Sequence, residues 1–204
     1  MIISCDFDAA PSSHIAVSQV QNLLNIRSRR IAAQILSNDF LRAVLHDRLY
    51  PQLEPLPQDT PPASAALFNL IVTGPDALLE DLSRKMALLI NHQAVFGTTD
   101  GAILEQIIDW CGRKDLIDIV RRQDGLPVFQ GFGVFTSVTL EALDLYAQKV
   151  RQYLFGILPC AYAQRFRLRF AAEDLPPIAT FAPDDPDSTT FLEYALSAHS
   201  LLER

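Results

Sequence analysis

Cysteine is scarce. Cys5, Cys111 and Cys160 are the only three in 204 residues, and they are widely scattered. An odd, dispersed set excludes a disulfide framework and fits a reducing compartment. Basic residues are also few: Lys and Arg total 17 against 24 Asp and Glu, a formal net charge of −7. That balance argues against nucleic acid as a partner, because phosphate neutralisation needs clustered Lys and Arg. Long apolar runs are missing too. The greasiest stretch, residues 65–72 (AALFNLIV), is interrupted by Asn69 and falls far short of the ~18 apolar residues that cross a bilayer. At the start, Asp6 and Asp8 stand where a secretory signal would carry its apolar run. A cytoplasmic location without membrane insertion is the expectation.

What is present is a globular composition, 49% hydrophobic and 20% charged. Composition of this kind excludes disorder and a collagen-like chain. A chain of this length buries roughly 70% of the surface its unfolded form exposes and needs no covalent staple. Length suggests one domain, or at most two small ones. The sequence reads best as a mainly α, compact multi-helix single domain over 1–204, with a Pro-rich internal loop at 51–62 and a Pro/Asp-rich loop at 171–188.

Residues 14–50 read as helical, capped by Ser12 or Ser13 and broken at Ser37-Asn38-Asp39. Ile15, Val20, Leu23, Leu24, Ile31, Ile35 and Leu36 recur at helical spacing, and Phe40, Leu41, Val44, Leu45 and Leu49 form a second apolar face. Five prolines in PQLEPLPQDTPP then impose a loop. The clearest helix is 75–91, started by Gly74-Pro75-Asp76 and striped by Leu78, Leu79, Leu82, Met86, Leu89 and Ile90. Glu80–Arg84 and Asp81–Lys85 are i,i+4 pairs expected on its wet side. Residues 101–122 carry Ile103, Leu104, Ile107, Ile108, Cys111, Leu116, Ile119 and Val120 along one stripe, and Gly112 marks a joint between two short helices.

Residues 125–136 (GLPVFQGFGVFT) hold three glycines, three phenylalanines and no charge, which suggests a short hairpin or a buried loop. Helix returns over 138–157, with Leu140, Leu143, Ala147, Val150 and Leu154 inward, and Pro159 ends it and opens a further helix. RFRLRF at 165–170 alternates like a strand, yet Phe166 and Phe170 are also four apart, as on a helical turn. Both readings stand. A last helix covers about 190–203, with Thr190 and Glu193 as a capping box and Phe191, Tyr194, Ala195, Ala198 and Leu202 on its packing face.

No chemistry-bearing constellation emerges from spacing. His14, His46, His92 and His199 lie in separate segments and form no HExxH pair, so they read as scattered surface residues and no metal is expected. Cys111 sits on an apolar stripe, where free cysteine acts as a small hydrophobe. With His92 it is the first suspect for an enzyme, a reading that ranks below a non-enzymatic one. Asp184, Asp185 and Asp187 serve as turn formers and caps without the glycine and glutamate of a calcium loop. Gly131-Phe132-Gly133 lacks the third glycine of a dinucleotide fingerprint, and no cofactor is implied. Two groups remain as partner-binding candidates. As a strand, Arg165, Arg167 and Arg169 would line one face for an acidic partner. Phe129 and Phe132, with Phe135, would give a chaperone or small-ligand binder an apolar contact surface.

The stretch Leu158-Pro159-Cys160-Ala161-Tyr162-Ala163-Gln164-Arg165-Phe166-Arg167-Leu168-Arg169-Phe170 resembles the Leu-Pro…Arg-Leu/Phe-x-Leu-x-Phe-Pro segment of the SctK family (also called YscK, OrgA or MxiK). Leu78–Ile90 is similar to that family's mid-chain helix at Leu82, Arg84, Ala87, Leu88 and Leu89, and Phe7-Asp8 with His14 resembles its Phe-Asp-Pro…His segment. The resemblance implies an accessory protein of the type III secretion injectisome: a non-enzymatic cytoplasmic adaptor of the sorting platform. It further implies two protein partners, the cytoplasmic domain of the inner-membrane ring protein SctD and SctQ, which carries the stator SctL and the ATPase SctN.

Overall fold

Short polar side chains and prolines set the helix starts. In the computed structural model, which describes residues 6–9, 13–122, 125–129, 131–133, 135, 138–182 and 185–202, every regular element is a helix. The side chains of Asp6, Ala9, Asp115 and Val120 also lie outside the description. After α1 (Asp6–Ala9), α2 (Val17–Leu24) ends on Asn25 in the left-handed region, φ 51°. Asparagine tolerates that conformation, and it lets the Ile26 N–H turn back onto the Gln21 carbonyl. Ser28 and Asn38 then cap α3 (Arg29–Ser37) and α4 (Asp39–Leu49) by accepting from Ile31 N and Leu41 N. The expected break at 37–39 is there. The turn at Asn25, which splits the first helical run, comes in addition. Ser12, offered as a first cap, and Cys5 lie outside the described residues.

Pro62 opens α5 (Pro62–Thr73) and Asp76 opens α6 (Asp76–Ile90) directly after Pro75. A short α7 (His92–Phe96) follows. Asp100 caps α8 (Gly101–Cys111), and Gly112, at φ 87°, is the joint to α9 (Arg113–Arg122). Only glycine adopts that φ without strain, so the pivot read from sequence has its physical cause. Thr139 caps α10 (Leu140–Gly156), and Pro159 precedes α11 (Cys160–Leu168). RFRLRF therefore lies mostly within a helix, and the strand alternative at 165–170 falls. No strand or hairpin occurs among the described residues, including those near 126–135. The last helix, α12 (Pro186–Leu202), begins a turn earlier than its capping box would place it. Proline fits a first helical turn, and Asp185 Oδ1 takes the capping role by accepting from Asp187 N at 2.9 Å. Thr190 lies inside the helix.

The chain gathers into two compact units. One is drawn from the stretch up to Gly74 and from Leu158–Pro177, the other from Pro75–Ile157 and from Ile178 onward. In the first unit α2 packs on α3, α3 on α4, α1 on α5, and α5 on α11. Phe7, Val20, Ala32, Leu45, Leu67, Ile71, Tyr162 and Phe166 are among its buried residues. In the second unit α6 is the hub, touching α8, α9, α10 and α12. It buries Leu79, Leu82, Met86, Ala87, Leu88 and Leu89, as a helix surrounded on most sides must.

That crowding corrects two expectations. Lys85 does not lie on a wet side. It is buried, with its amine 2.7 Å from both Asp81 carboxylate oxygens. Leu78, at the first turn, faces water instead of joining the stripe. The second unit also contains one close crossing. A Cβ on Gly156 would lie 1.9 Å from the Ala179 carbonyl oxygen, and Ala179 N donates to Gln152 O there. Glycine is what permits that approach.

Candidate functional site

Helix α11 and its C-cap place Arg165, Arg167 and Arg169 in three different environments. Arg165 is 1% exposed. Its Nε and Nη2 donate to Asp8 Oδ1 and Oδ2 at 2.7 and 2.9 Å, a bidentate fork. Its Nη1 donates to the carbonyls of Glu54 and Ala161 at 3.0 and 2.8 Å. One side chain thus ties α1, the proline loop and α11 together. Arg169 donates to the Ile71, Val72 and Gly74 carbonyls at the C-terminal end of α5. Those oxygens have no partner within the helix, and a cation there also meets the negative end of the helix dipole. Only Arg167 is exposed. Of the three arginines offered as a partner-binding face, Arg165 is spent inside the fold and Arg169 is engaged with backbone. A helical turn fans the three around the cylinder, where a strand would have aligned them.

The aromatic candidates meet a similar fate. Phe129 is buried, and Phe132 and Phe135 are half-buried. Phe129 and Phe132 meet edge-on at 4.9 Å between ring centroids, and both contact Phe181 and Phe191. Tyr153 lies 4.6 Å from Phe132, and the Lys149 ammonium sits 4.9 Å over the same ring. Tyr194 Oη donates to the Pro127 carbonyl, tying the segment to α12. Edge-on and offset ring pairs of this kind add ~0.5–1.5 kcal/mol each beyond the area they bury. The rings are packing material, and Val128 is the exposed large apolar side chain among the described residues of the segment. Beside it lies a pocket of about 250 Å³, lined among others by Asn91, His92, Phe129 and Tyr194. Asn91 Oδ1 is buried without a hydrogen-bond partner among the described residues, and Tyr146 Oη is buried beside the Asn91 amide. Burial pushes the Tyr146 and Tyr194 phenols upward, with Asn91 opposing the effect at Tyr146.

Other reactive types are held in structural roles. Cys111 is buried, with its thiol 3.4 Å from the Gly112 carbonyl. Cys160 is exposed, but the neighbouring Glu54 carboxylate disfavours its thiolate, so the pKa is raised and the nucleophile weakened. His92 Nδ1 lies 2.8 Å from the Leu89 carbonyl. His199 is buried, so the reading of all four histidines as surface residues fails for it. Asp185 is a cap and Asp184 lies outside the described residues. No group of three or more His, Cys, Asp or Glu among the described residues could hold a metal ion.

The feature that sequence reading missed is on α3 and α4. Phe40 is 75% exposed, and Ile31, Leu41 and Val44 are also exposed, while only Leu45 and Leu49 of α4 turn inward. The apolar face expected to pack is largely open. The available signal was the run Arg27-Ser28-Arg29-Arg30, a basic cluster in an acidic chain. Compared with protein-family models, with curated proteins and with solved structures, the chain finds no match.

Proposed function

We propose that the protein is a non-enzymatic adaptor of the type III secretion sorting platform, linking SctD to SctQ and through it to the stator and ATPase. The observation that carries this reading is the Leu158–Phe170 segment. It bears the family resemblance, and its Leu158, Ala161, Tyr162, Arg165 and Phe166 are buried in the first unit. A segment whose Arg165 and Arg169 are engaged in holding its own unit together suits a spacer with a rigid interior. A cytoplasmic position beneath the inner-membrane ring belongs to the same proposal. It is supported by the finding that no described helix is long and apolar enough to cross a membrane.

Small-ligand binding beside Phe129 is the second reading. Its pocket of about 250 Å³ is smaller than the ~300–1,000 Å³ typical of ligand clefts, and its rings already have partners. The adaptor reading is therefore preferred. The full-length chain is expected to co-purify with both SctQ and the SctD cytoplasmic domain encoded in the same genome. Binding to neither, with secretion unaffected by deletion of this gene, would overturn the proposal.

A further inference from the structure

We infer that the outer face of α3 and α4 is a docking surface for an acidic, amphipathic segment of a protein partner. The inference rests on the adaptor reading only in supposing that a protein partner exists. Phe40 and Val44 are one turn apart on α4 and share a face, with Leu41 beside them and Arg48 one turn further on. Ile31 adds an exposed apolar side chain on α3, which packs against α4. Elsewhere the exposed large apolar residues among the described ones, such as Leu78, Ile117 and Leu145, occur singly on separate helices, which is ordinary for a folded surface. Several on one helix pair are not ordinary, and such patches mark contact sites.

Charge selects the occupant. Residues 13–50 carry five arginines and two aspartates, a net +3 within a chain of −7. Arg27, Arg29, Arg30 and Arg48 are exposed, and none of them makes an ion pair among the described residues. Unpaired guanidinium groups beside apolar anchors complement a segment that alternates carboxylates with apolar side chains, laid along the helices. A lipid surface fits less well. Asp47 is exposed on the same helix, and a uniformly anionic plane repels it, whereas a protein partner can place a neutral or basic group opposite.

The test puts p-benzoylphenylalanine at position 44 of the full-length chain in its native cell, with position 145 in the other unit as control. Adducts formed on irradiation are mapped by mass spectrometry. The expected result is capture at 44, not at 145, of one protein segment rich in Asp and Glu interleaved with apolar residues. Arg29→Glu with Arg30→Glu should cut that yield about tenfold without lowering the melting temperature, since both side chains are exposed and carboxylates suit the first turn of a helix. Lipid adducts, capture of a second copy of this chain, capture of a basic or uncharged segment, equal yield at 44 and 145, or no adduct would each overturn the inference. If the captured segment belongs to a protein outside the secretion apparatus, the docking surface stands and the adaptor proposal alone falls.

Discussion

The first unit sets a charged pair at its centre, Arg165 with Asp8, where the second unit uses a cluster of rings around Phe129, Phe132 and Phe191. The difference is one of tolerance. A ring cluster loses stability in proportion to the area and contacts removed, because burial and dispersion are non-directional. A buried ion pair is neutral or mildly costly overall but severe when halved, since the survivor is left charged and desolvated. The first unit therefore adds to its apolar core one charged contact whose partners lie 157 residues apart. The second spreads its aromatic packing over many ring contacts, and its buried Lys85 is paired locally, one turn away on the same helix, with Asp81.

The sharpest way to break this contrast is Arg165→Glu, which sets a second carboxylate against Asp8. The expected loss in urea unfolding exceeds the ~3–5 kcal/mol of simply deleting one partner of a buried pair. The paired replacement Arg165→Met with Asp8→Leu should recover most of it, as apolar isosteres often do. If Arg165→Glu is as stable as the parent chain, the pair is not the organising contact.

An intermediate effect is expected in the aromatic unit at alkaline pH. Burial raises the Tyr146 phenol in the folded state. The folded form then holds a proton that the unfolded form releases, so its contribution is complete below pH ~10 and is lost as pH rises further. Denaturation midpoints measured from pH 8 to 11 should fall at the top of that range, and the fall should shrink in Tyr146→Phe. An identical alkaline slope in the variant would remove Tyr146 as its cause.

The smallest effect belongs to Arg167→Glu. Its side chain is exposed, and surface changes away from special features stay within about 0.5 kcal/mol. A thermal melt that separates Arg167→Glu from Arg165→Glu by many degrees would sharpen the distinction between neighbouring arginines on one helix.

How much of this was legible depends on the range of the cause. Gly112 as a pivot, Pro159 as a start, Asn38 as a cap and the α6 stripe are local, and the sequence displayed them. Asn25 as a helix stop needed the left-handed conformation of a residue more often read as a neutral helix position. Burial of Lys85 needed knowledge of which helices crowd α6. At the candidate site, the alternation of Arg165, Arg167 and Arg169 was visible, but the role of Arg165 was not. Its partner, Asp8, stands out in the sequence only as a charge out of place in a signal sequence and as half of a Phe-Asp pair. The openness of Phe40 and Val44 was hidden for the converse reason: apolar spacing describes a face and does not supply its cover.

The separation of Asp8 from Arg165 has a consequence for synthesis on the ribosome. At ~5–20 residues per second, roughly 8–30 s pass between the emergence of the carboxylate and that of its guanidinium. Throughout that interval α1 has no α11 to pair with, and α5, once made, has none to pack against. The earliest-made portion of the first unit therefore stays unfinished until a segment made far downstream arrives to close its ion pair.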